Sequence, residues 1–319
     1  WLFLLLIPAL SMRSFSEERT TGTFELLMTK PLNAIDIYCG KLLGITAVFF
    51  IILFPTISNI FVINNLLTPD SFLDWGGIVG SYIGLIGVGF LFLALSLCSS
   101  LLIKNQIASF LVSVLACFTQ FYLWSFLADL NGYNWVYKIL SNFGIQTHYL
   151  SISRGVLTLK AIIYFIGFFI SISCLSVLLI KNNETPKRAF KTPLLIIFFT
   201  ILLTNLSSVF NIQIDLTQDQ RYSLAESTIN KLNNLEQPLR IDVFLEGELP
   251  GPYVSFRNEV DAVIAQLKNQ SNLIIVNYNN PFDFGTTEQI IQEMQEYGMS
   301  HETVIENKDG KRNESIVFP

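Results

Sequence analysis

Charged residues are scarce in this sequence. Asp, Glu, Lys and Arg make up 14% of the 319 residues and hydrophobic residues 51%, whereas soluble domains usually carry about 25% charged residues. This deficit argues against an ordinary soluble protein and predicts a membrane protein. The few charges are also uneven: residues 1–212 carry 12 basic and 8 acidic residues, and residues 213–319 carry 8 basic and 17 acidic ones. We therefore expect two parts in different surroundings.

Residues that perform catalysis or bind metals are also few. The four cysteines lie in or beside apolar runs without the spacing of a metal site, and His148 and His301 stand alone. No G-x-x-x-x-G-K-[ST] phosphate loop occurs in the chain, and the acidic part contains neither G-x-S-x-G nor H-E-x-x-H. The sequence therefore predicts no catalytic residue, no metal ligand and no cofactor on this chain. Its acidic part would repel phosphate groups, so we expect no nucleic-acid partner.

Five apolar runs are each about long enough to cross a membrane, since a hydrocarbon core of about 30 Å needs roughly 20 helical residues. Buried helices of a large soluble protein are the alternative, which five such runs disfavour. A shorter run, residues 1–12, has the character of the end of a helix that begins upstream of Trp1, so we expect the chain to be truncated there. The five runs are 42–63, 77–103, 107–127, 161–180 and 193–210.

Basic residues near the ends of these runs indicate the orientation, because cytoplasmic segments carry an excess of Lys and Arg. If residues 13–41 face the cytoplasm, the inside segments hold nine basic residues, whereas the outside segments that flank the apolar runs up to residue 180 hold only three. This count places 181–192 inside, and it places 64–76, 128–160 and everything after about residue 211 outside.

The acidic part has the pattern of a soluble α/β domain. Residues 239–245 and 272–278 are predicted strands, 254–270 and 286–297 are predicted helices, and the segment 301–318 is a predicted hairpin. "SLAE" fits a capping box in which Ser223 caps a further helix. Alternating strands and helices predict a mainly parallel sheet.

The segment "EERTTGTFELLMTKPL", residues 17–32, lies between two apolar parts and is marked by Gly22 and Pro31. Asn33 is a predicted N-cap for the next helix. The pattern alone leaves two interpretations open. The segment either rests as an amphipathic loop among lipid headgroups or offers a surface to another protein.

This segment resembles the Glu-Arg-x-x-Gly-Thr-x-Glu-x-Leu-Leu-x-x-Pro signature of ABC-2 type transport permeases, and the following "IYCGKLLG" resembles the Gly-Lys that succeeds it. The resemblance implies an all-α, polytopic, permease-like helix bundle whose cytoplasmic segment docks on a separate ABC ATPase. ATP and Mg would bind to that ATPase, and a second permease copy is implied. The implied coupling residues are Glu18, Arg19, Gly22, Thr23, Phe24, Glu25, Leu26, Leu27 and Pro31. Phe24, Leu26 and Leu27 are expected to fill an apolar groove on the ATPase.

The stretch 214–250 resembles the start of the extracytoplasmic region of the GldG family, the auxiliary component of the gliding-motility ABC transporter, and the membrane part is similar to its GldF permease family. The resemblance implies a fusion of the two, cut short after Pro319. The predicted domains are a permease-like membrane domain (1–180), a cytoplasmic linker (181–192), a transmembrane anchor (193–211) and an extracytoplasmic α/β domain (212–319).

The expected function is that of a permease subunit of an exporter-type, gliding-associated ABC transporter in the bacterial inner membrane, with its C-terminal domain in the periplasm. Its expected partners are the ATPase, a second permease copy, the lipid bilayer, and cell-envelope or gliding components. The alternative is a scaffold without transport, which uses the movement of the ATPase to support gliding or secretion machinery.

Overall fold

In a computed structural model of the chain, the described residues are 1–66, 73–130, 134–181, 191–210, 213–246, 251–271, 273–280, 287–296, 298–300, 302–308 and 311–317. They form two compact units. The helical unit comprises residues 1–124 and 142–222, and the C-terminal unit comprises residues 125–141 and 223–319. Most of the predicted linker, residues 182–190, lies outside the described residues.

Helices account for most of the chain up to residue 210. Those long and apolar enough to cross a membrane are Ala34–Leu66, Trp75–Leu102, Gln106–Ala128 and Leu159–Lys181, which confirms that four of the five predicted runs form helices of this length and composition. The fifth run coincides with a helix whose described apolar part, Lys191–Ser207, is shorter. In chain order the helices are α1 (Leu2–Ser11), α2 (Ser16–Thr21), α3 (Thr23–Met28), α4 (Ala34–Leu53), α5 (Ser58–Leu66), α6 (Trp75–Leu102), α7 (Gln106–Phe118), α8 (Trp124–Asp129), α9 (Asn134–Phe143), α10 (Ile145–Ser153), α11 (Leu159–Lys181) and α12 (Lys191–Phe210).

Polar side chains fix where several long helices begin. Asn33 is the N-cap of α4, and its N–H donates to Asp36 Oδ2 at 3.0 Å, which completes a capping box. Asp74 accepts from the N–H of Gly77 at the start of α6, and Asn105 accepts from the N–H groups of Ile107 and Ala108 at the start of α7. These bonds satisfy N–H groups that have no partner within the helix. The predicted cap at Asn33 is confirmed.

The main core of the helical unit forms around α6, which packs against α1, α4, α7, α10 and α11. Leu91, Phe92 and Leu93 of α6 are almost fully buried there. The Phe49 ring of α4 lies so close to Gly89 that a Cβ atom on Gly89 would come within 2.4 Å of it. Glycine in α6 therefore permits the close helix packing that its small residues predict.

The helical unit has two ends at which helix termini meet, and we call them the elbow end and the strand end. The elbow end contains residues 12–41 with the last turns of α6 and α11. At the strand end, β1 (Val156–Thr158) pairs antiparallel with β2 (Gln213–Asp215), and the Leu216 N–H donates to the Gly155 carbonyl at 2.9 Å. A Cβ atom on Gly76 would lie 1.6 Å from the Leu216 carbonyl oxygen, so the start of α6 belongs to the strand end too. Each end thus joins segments that the predicted orientation places on one side of the membrane.

The C-terminal unit contains α13 (Glu226–Asn233), β3 (Leu239–Val243), α14 (Gly251–Gln270), β4 (Ile274–Tyr278), α15 (Thr287–Glu296), β5 (Glu302–Lys308) and β6 (Lys311–Val317). β3 pairs parallel with β4 from Leu239 opposite Ile274 to Val243 opposite Tyr278. β5 and β6 form the predicted antiparallel hairpin. Among the described residues these are two separate pairs, so a mainly parallel sheet stays a prediction.

One local prediction in this unit is wrong. Helix α13 starts at Glu226, and its N-cap is Ala225 rather than Ser223. Ala225 has an extended backbone, and its carbonyl accepts the first helical bonds from Thr228 and Ile229 at 2.9 and 3.0 Å. The helix therefore begins too late for Ser223 and Glu226 to form a capping box.

Candidate functional site

The predicted coupling segment forms two short helices, α2 and α3, joined at Gly22. The Gly22 backbone has φ +75°, the left-handed region that favours glycine. A Cβ atom at this position would meet nothing within 4 Å, so backbone conformation rather than space calls for glycine. We call residues 12–33 the elbow, because the chain turns through them between α1 and α4.

The start of helix α2 is bonded to α6 through the hydroxyl of Ser100. Ser100 Oγ accepts hydrogen bonds from the N–H groups of Phe15 and Ser16 at 3.0 and 3.1 Å, and it donates to the Met12 carbonyl at 3.2 Å. The N–H groups at the start of a helix lack partners within it. A side chain from another helix thus caps α2, and Phe15, Ser16 and Ser100 are all fully buried.

A second bond joins the other end of α2 to α6. Thr20 Oγ1 lies 2.7 Å from the carbonyl oxygen of Lys104, just beyond the end of α6, and also 2.7 Å from the Ser16 carbonyl. The two connections hold α2 along the last turn of α6, at Ser100 and at Lys104.

An apolar cluster fixes the elbow to three long helices at once. Its buried members come from the elbow, from α4, from α6 and from α11: Phe15, Phe24, Ile37, Tyr38, Leu97, Leu101 and Ile180. Leu27 packs against this cluster and is partly buried. The Tyr38 hydroxyl also donates to Ser173 Oγ of α11 at 3.0 Å.

Charged side chains also contact one another and the aromatic rings of the elbow. Lys41 Nζ lies 2.7 Å from Glu18 Oε1 and 4.5 Å from the centre of the Phe15 ring, and it also donates to the Ser14 carbonyl. The Arg19 guanidinium lies over the Phe24 ring at 5.1 Å, and its partial burial lowers the pKa of Arg19. Arginine remains charged in such surroundings. The charges of Glu18, Arg19 and Lys41 therefore contribute to the packing of the elbow itself.

The predicted coupling residues separate into two groups. Phe24 is 2% exposed, so its ring is occupied within the chain, contrary to the expected contact with a groove on the ATPase. Glu18, Arg19 and Leu27 are half-buried on the same inner side. The other members lie on the surface of the elbow: Gly22, Thr23, Glu25, Leu26 and Pro31. Leu26 is 66% exposed.

Ser100, Lys104 and Tyr38 take part in this arrangement, and sequence reasoning missed all three. Ser100 and Lys104 lie 84 or more positions along the chain from their partners in α2. The only feature of the sequence that could have indicated them is that all three lie near the ends of predicted spans, on the side predicted to be cytoplasmic. Gly40 and Lys41, which the ABC-2 resemblance includes, do mark the first turns of α4.

Comparison with known families gives two matches. Residues 2–150 match the family model described as ABC-2 family transporter protein, and residues 218–319 match a domain of unknown function, DUF7088. No curated protein and no solved structure matches the chain. The apolar helices and the first match together support a multi-pass membrane protein. The match over residues 2–150 thus supports a permease domain of the ABC-2 type in this part of the chain.

Proposed function

We propose that the chain is the permease subunit of an ATP-driven exporter in the bacterial inner membrane, and that a separate ABC ATPase docks on its elbow. The observation that carries the proposal is the attachment of the elbow to α4, α6 and α11 through one apolar cluster and the Ser100 bonds. Because the elbow contacts three long helices, a force that a bound ATPase exerts on the elbow would be transmitted to all three helices.

The docking surface is the exposed side of α3 and the turn after it. Leu26 supplies apolar area, and Glu25 and Thr23 flank it with polar groups. An exposed leucine with polar neighbours has the composition of a small protein contact. Phe24 and Leu27, on the opposite side of α3, hold this surface in place by packing inward.

In this account the ATPase binds ATP and Mg, closes, and displaces α3. Because α2 and α3 are fixed to the last turn of α6 and to the ends of α4 and α11, they pass the displacement on as a rigid-body shift. Two permease copies that rock in this way would alternate their access to the two sides of the membrane.

The assignment to a gliding-motility transporter rests on sequence resemblance, and the orientation in the membrane rests on the distribution of basic residues. The GldF-like and GldG-like sequences support a gliding-motility transporter in which residues 212–319 act as an auxiliary domain. The excess of basic residues beside the elbow end supports a cytoplasmic elbow and a periplasmic C-terminal unit. Cell-envelope or gliding components are the further partners in this proposal.

The experiment is purification of the full chain from its native membrane, followed by identification and quantification of the bound ATPase. Leu26→Ala should reduce the recovered ATPase about tenfold, because burying this side chain on docking contributes about 1–2 kcal/mol. Leu239→Ala is the matched control, since Leu239 is likewise exposed, at 41%, but lies in the C-terminal unit. Recovery of the ATPase at the wild-type level with Leu26→Ala would contradict docking at this surface.

A further inference from the structure

A cavity of about 590 Å³ opens at the strand end of the helical unit, away from the elbow. Its walls come from the 3₁₀ turn Phe54–Ile57, from α5, from the first three turns of α6 and from α10. This volume is typical of cavities that bind a small molecule. The proposed coupling mechanism uses none of the residues that line it.

The lining changes character along α6. Asp74 stands at the beginning of this helix and Leu85 lies eleven residues further on, which corresponds to about 16 Å along the helix axis. Ile60 and Ile63 of α5 extend the apolar wall, and Asn59 and Ser81 add polar groups. A cavity that is acidic at one end and aliphatic along its length suits an amphiphile.

Several polar groups of the cavity wall already have partners. Thr56 Oγ1 lies 3.0 Å from the Tyr82 hydroxyl, and Ser81 Oγ donates to the Ser153 carbonyl at 2.9 Å. Because these groups are already hydrogen-bonded, they do not require a hydrogen bond from a ligand. The part of a ligand that lies beside them can be apolar.

Asp74 is the only ionisable carboxylate among the described lining residues. Its Oδ1 accepts from the N–H groups of Gly77 and Gln218 at 3.2 and 3.4 Å, and among the described residues no donor is found for Oδ2. The nearby Arg221 guanidinium interacts with Asp74 only at a distance, because its hydrogen bond goes to Asp219 at 3.1 Å. The end of the cavity at the start of α6 thus carries a carboxylate with an acceptor oxygen that has no donor among the described residues.

We propose that this cavity binds a membrane lipid whose headgroup carries a primary ammonium. The ammonium donates to Asp74, and an acyl chain lies along Ile60, Ile63 and Leu85. The negative charge of Asp74 favours a cationic group over an anionic one, and its Oδ2 acceptor favours an ammonium that has N–H donors. The binding requires only that these helices lie in a membrane, and it does not depend on transport or on an ATPase.

The test is native mass spectrometry of the full chain with one added phospholipid at a time. Phosphatidylethanolamine should bind about tenfold more tightly than phosphatidylglycerol, which is anionic, and than phosphatidylcholine, whose ammonium has no N–H. Asp74→Asn should abolish this preference and leave α6 intact, because asparagine caps helices as well as aspartate does. Asp36→Asn changes a capping carboxylate at the elbow end instead, and it should leave the preference unchanged.

Ile63→Trp is a second variant, which places a large side chain at a half-exposed wall position. It should reduce the binding of phosphatidylethanolamine about tenfold while the chain stays folded. Equal binding of the three lipids to the unaltered chain, or an unchanged preference with Asp74→Asn, would overturn the headgroup assignment. Wild-type lipid binding with Ile63→Trp would overturn the site, and loss of a dimer in that variant would assign the cavity to a second copy of the chain.

Discussion

Removing the hydroxyl of Ser100 is the sharpest test of the elbow attachment. In Ser100→Ala the N–H groups of Phe15 and Ser16 lose their acceptor, and both residues are fully buried, so water cannot replace it. An unsatisfied buried donor costs about 1–3 kcal/mol, which gives about 2–6 kcal/mol for the pair if α2 stays docked. A helix of six residues has little stability of its own. We therefore expect α2 to detach from α6 for part of the time.

Hydrogen exchange measures this detachment directly. Exchange at the amides of Phe15 and Ser16 should become at least about tenfold faster in Ser100→Ala than in the unaltered chain. The matched control is Ser99→Ala, because the Ser99 hydroxyl donates to the Leu95 carbonyl within its own helix. The ATPase should still bind to the Ser100→Ala chain, while stimulation of its ATP hydrolysis by the substrate should be lost. Unchanged exchange at Phe15 and Ser16 would refute the idea that Ser100 holds the elbow.

Two further predictions concern packing elsewhere. In Gly167→Ala the new Cβ atom would lie about 2.4 Å from Thr200 Oγ1, so the Thr200 side chain or the two helices α11 and α12 must shift. The melting temperature of the purified chain should therefore fall by an amount equivalent to about 1–3 kcal/mol. Gly44→Ala is the control because its Cβ would meet nothing within 4 Å, and equal melting temperatures would contradict the close packing of α11 on α12. In the C-terminal unit, Arg257→Leu leaves Glu246, now 2.5 Å from the Arg257 Nη2 atom, without its partner. Limited proteolysis should then cleave this unit severalfold faster, and an unchanged cleavage rate would show that the pair contributes little.

Local composition was sufficient to predict the spanning helices. The runs that form α6 and α11 are apolar over more than 20 residues, and few other structures accommodate such runs. The N-cap at Asn33 could also be predicted from the sequence, because all residues of a capping box lie within four positions of the chain. In the C-terminal unit, helix α13 could not be placed exactly, since the backbone at Ala225 rather than a side-chain signal sets its start.

Contacts between residues far apart in the chain could not be predicted from the sequence. The signature of the elbow indicated a segment that contacts another protein, but it could not show that Phe24 packs inward while Leu26 faces outward. That distinction depends on Leu97 and Ile180, which lie far along the chain. The pairing of β1 with β2 joins residues more than fifty positions apart, and a three-residue strand carries no pattern that identifies its partner.

A scaffold without transport would use the same elbow and the same ATPase, so the coupling geometry supports both functions. The distinction lies in the substrate. In a reconstituted complex, an exporter shows ATP hydrolysis that rises with substrate, together with flux into vesicles. A scaffold shows neither of these, and it is found with gliding or secretion components in the cell envelope.

The proposed function places the elbow and residues 212–319 on opposite sides of the membrane, and this is its central claim. It is tested by replacing the four native cysteines and introducing Glu25→Cys or Glu259→Cys, both at exposed positions. A maleimide that cannot cross the inner membrane should label Glu259→Cys in intact cells, and it should label Glu25→Cys only after that membrane is opened. Labelling of both positions from the same side would contradict the account.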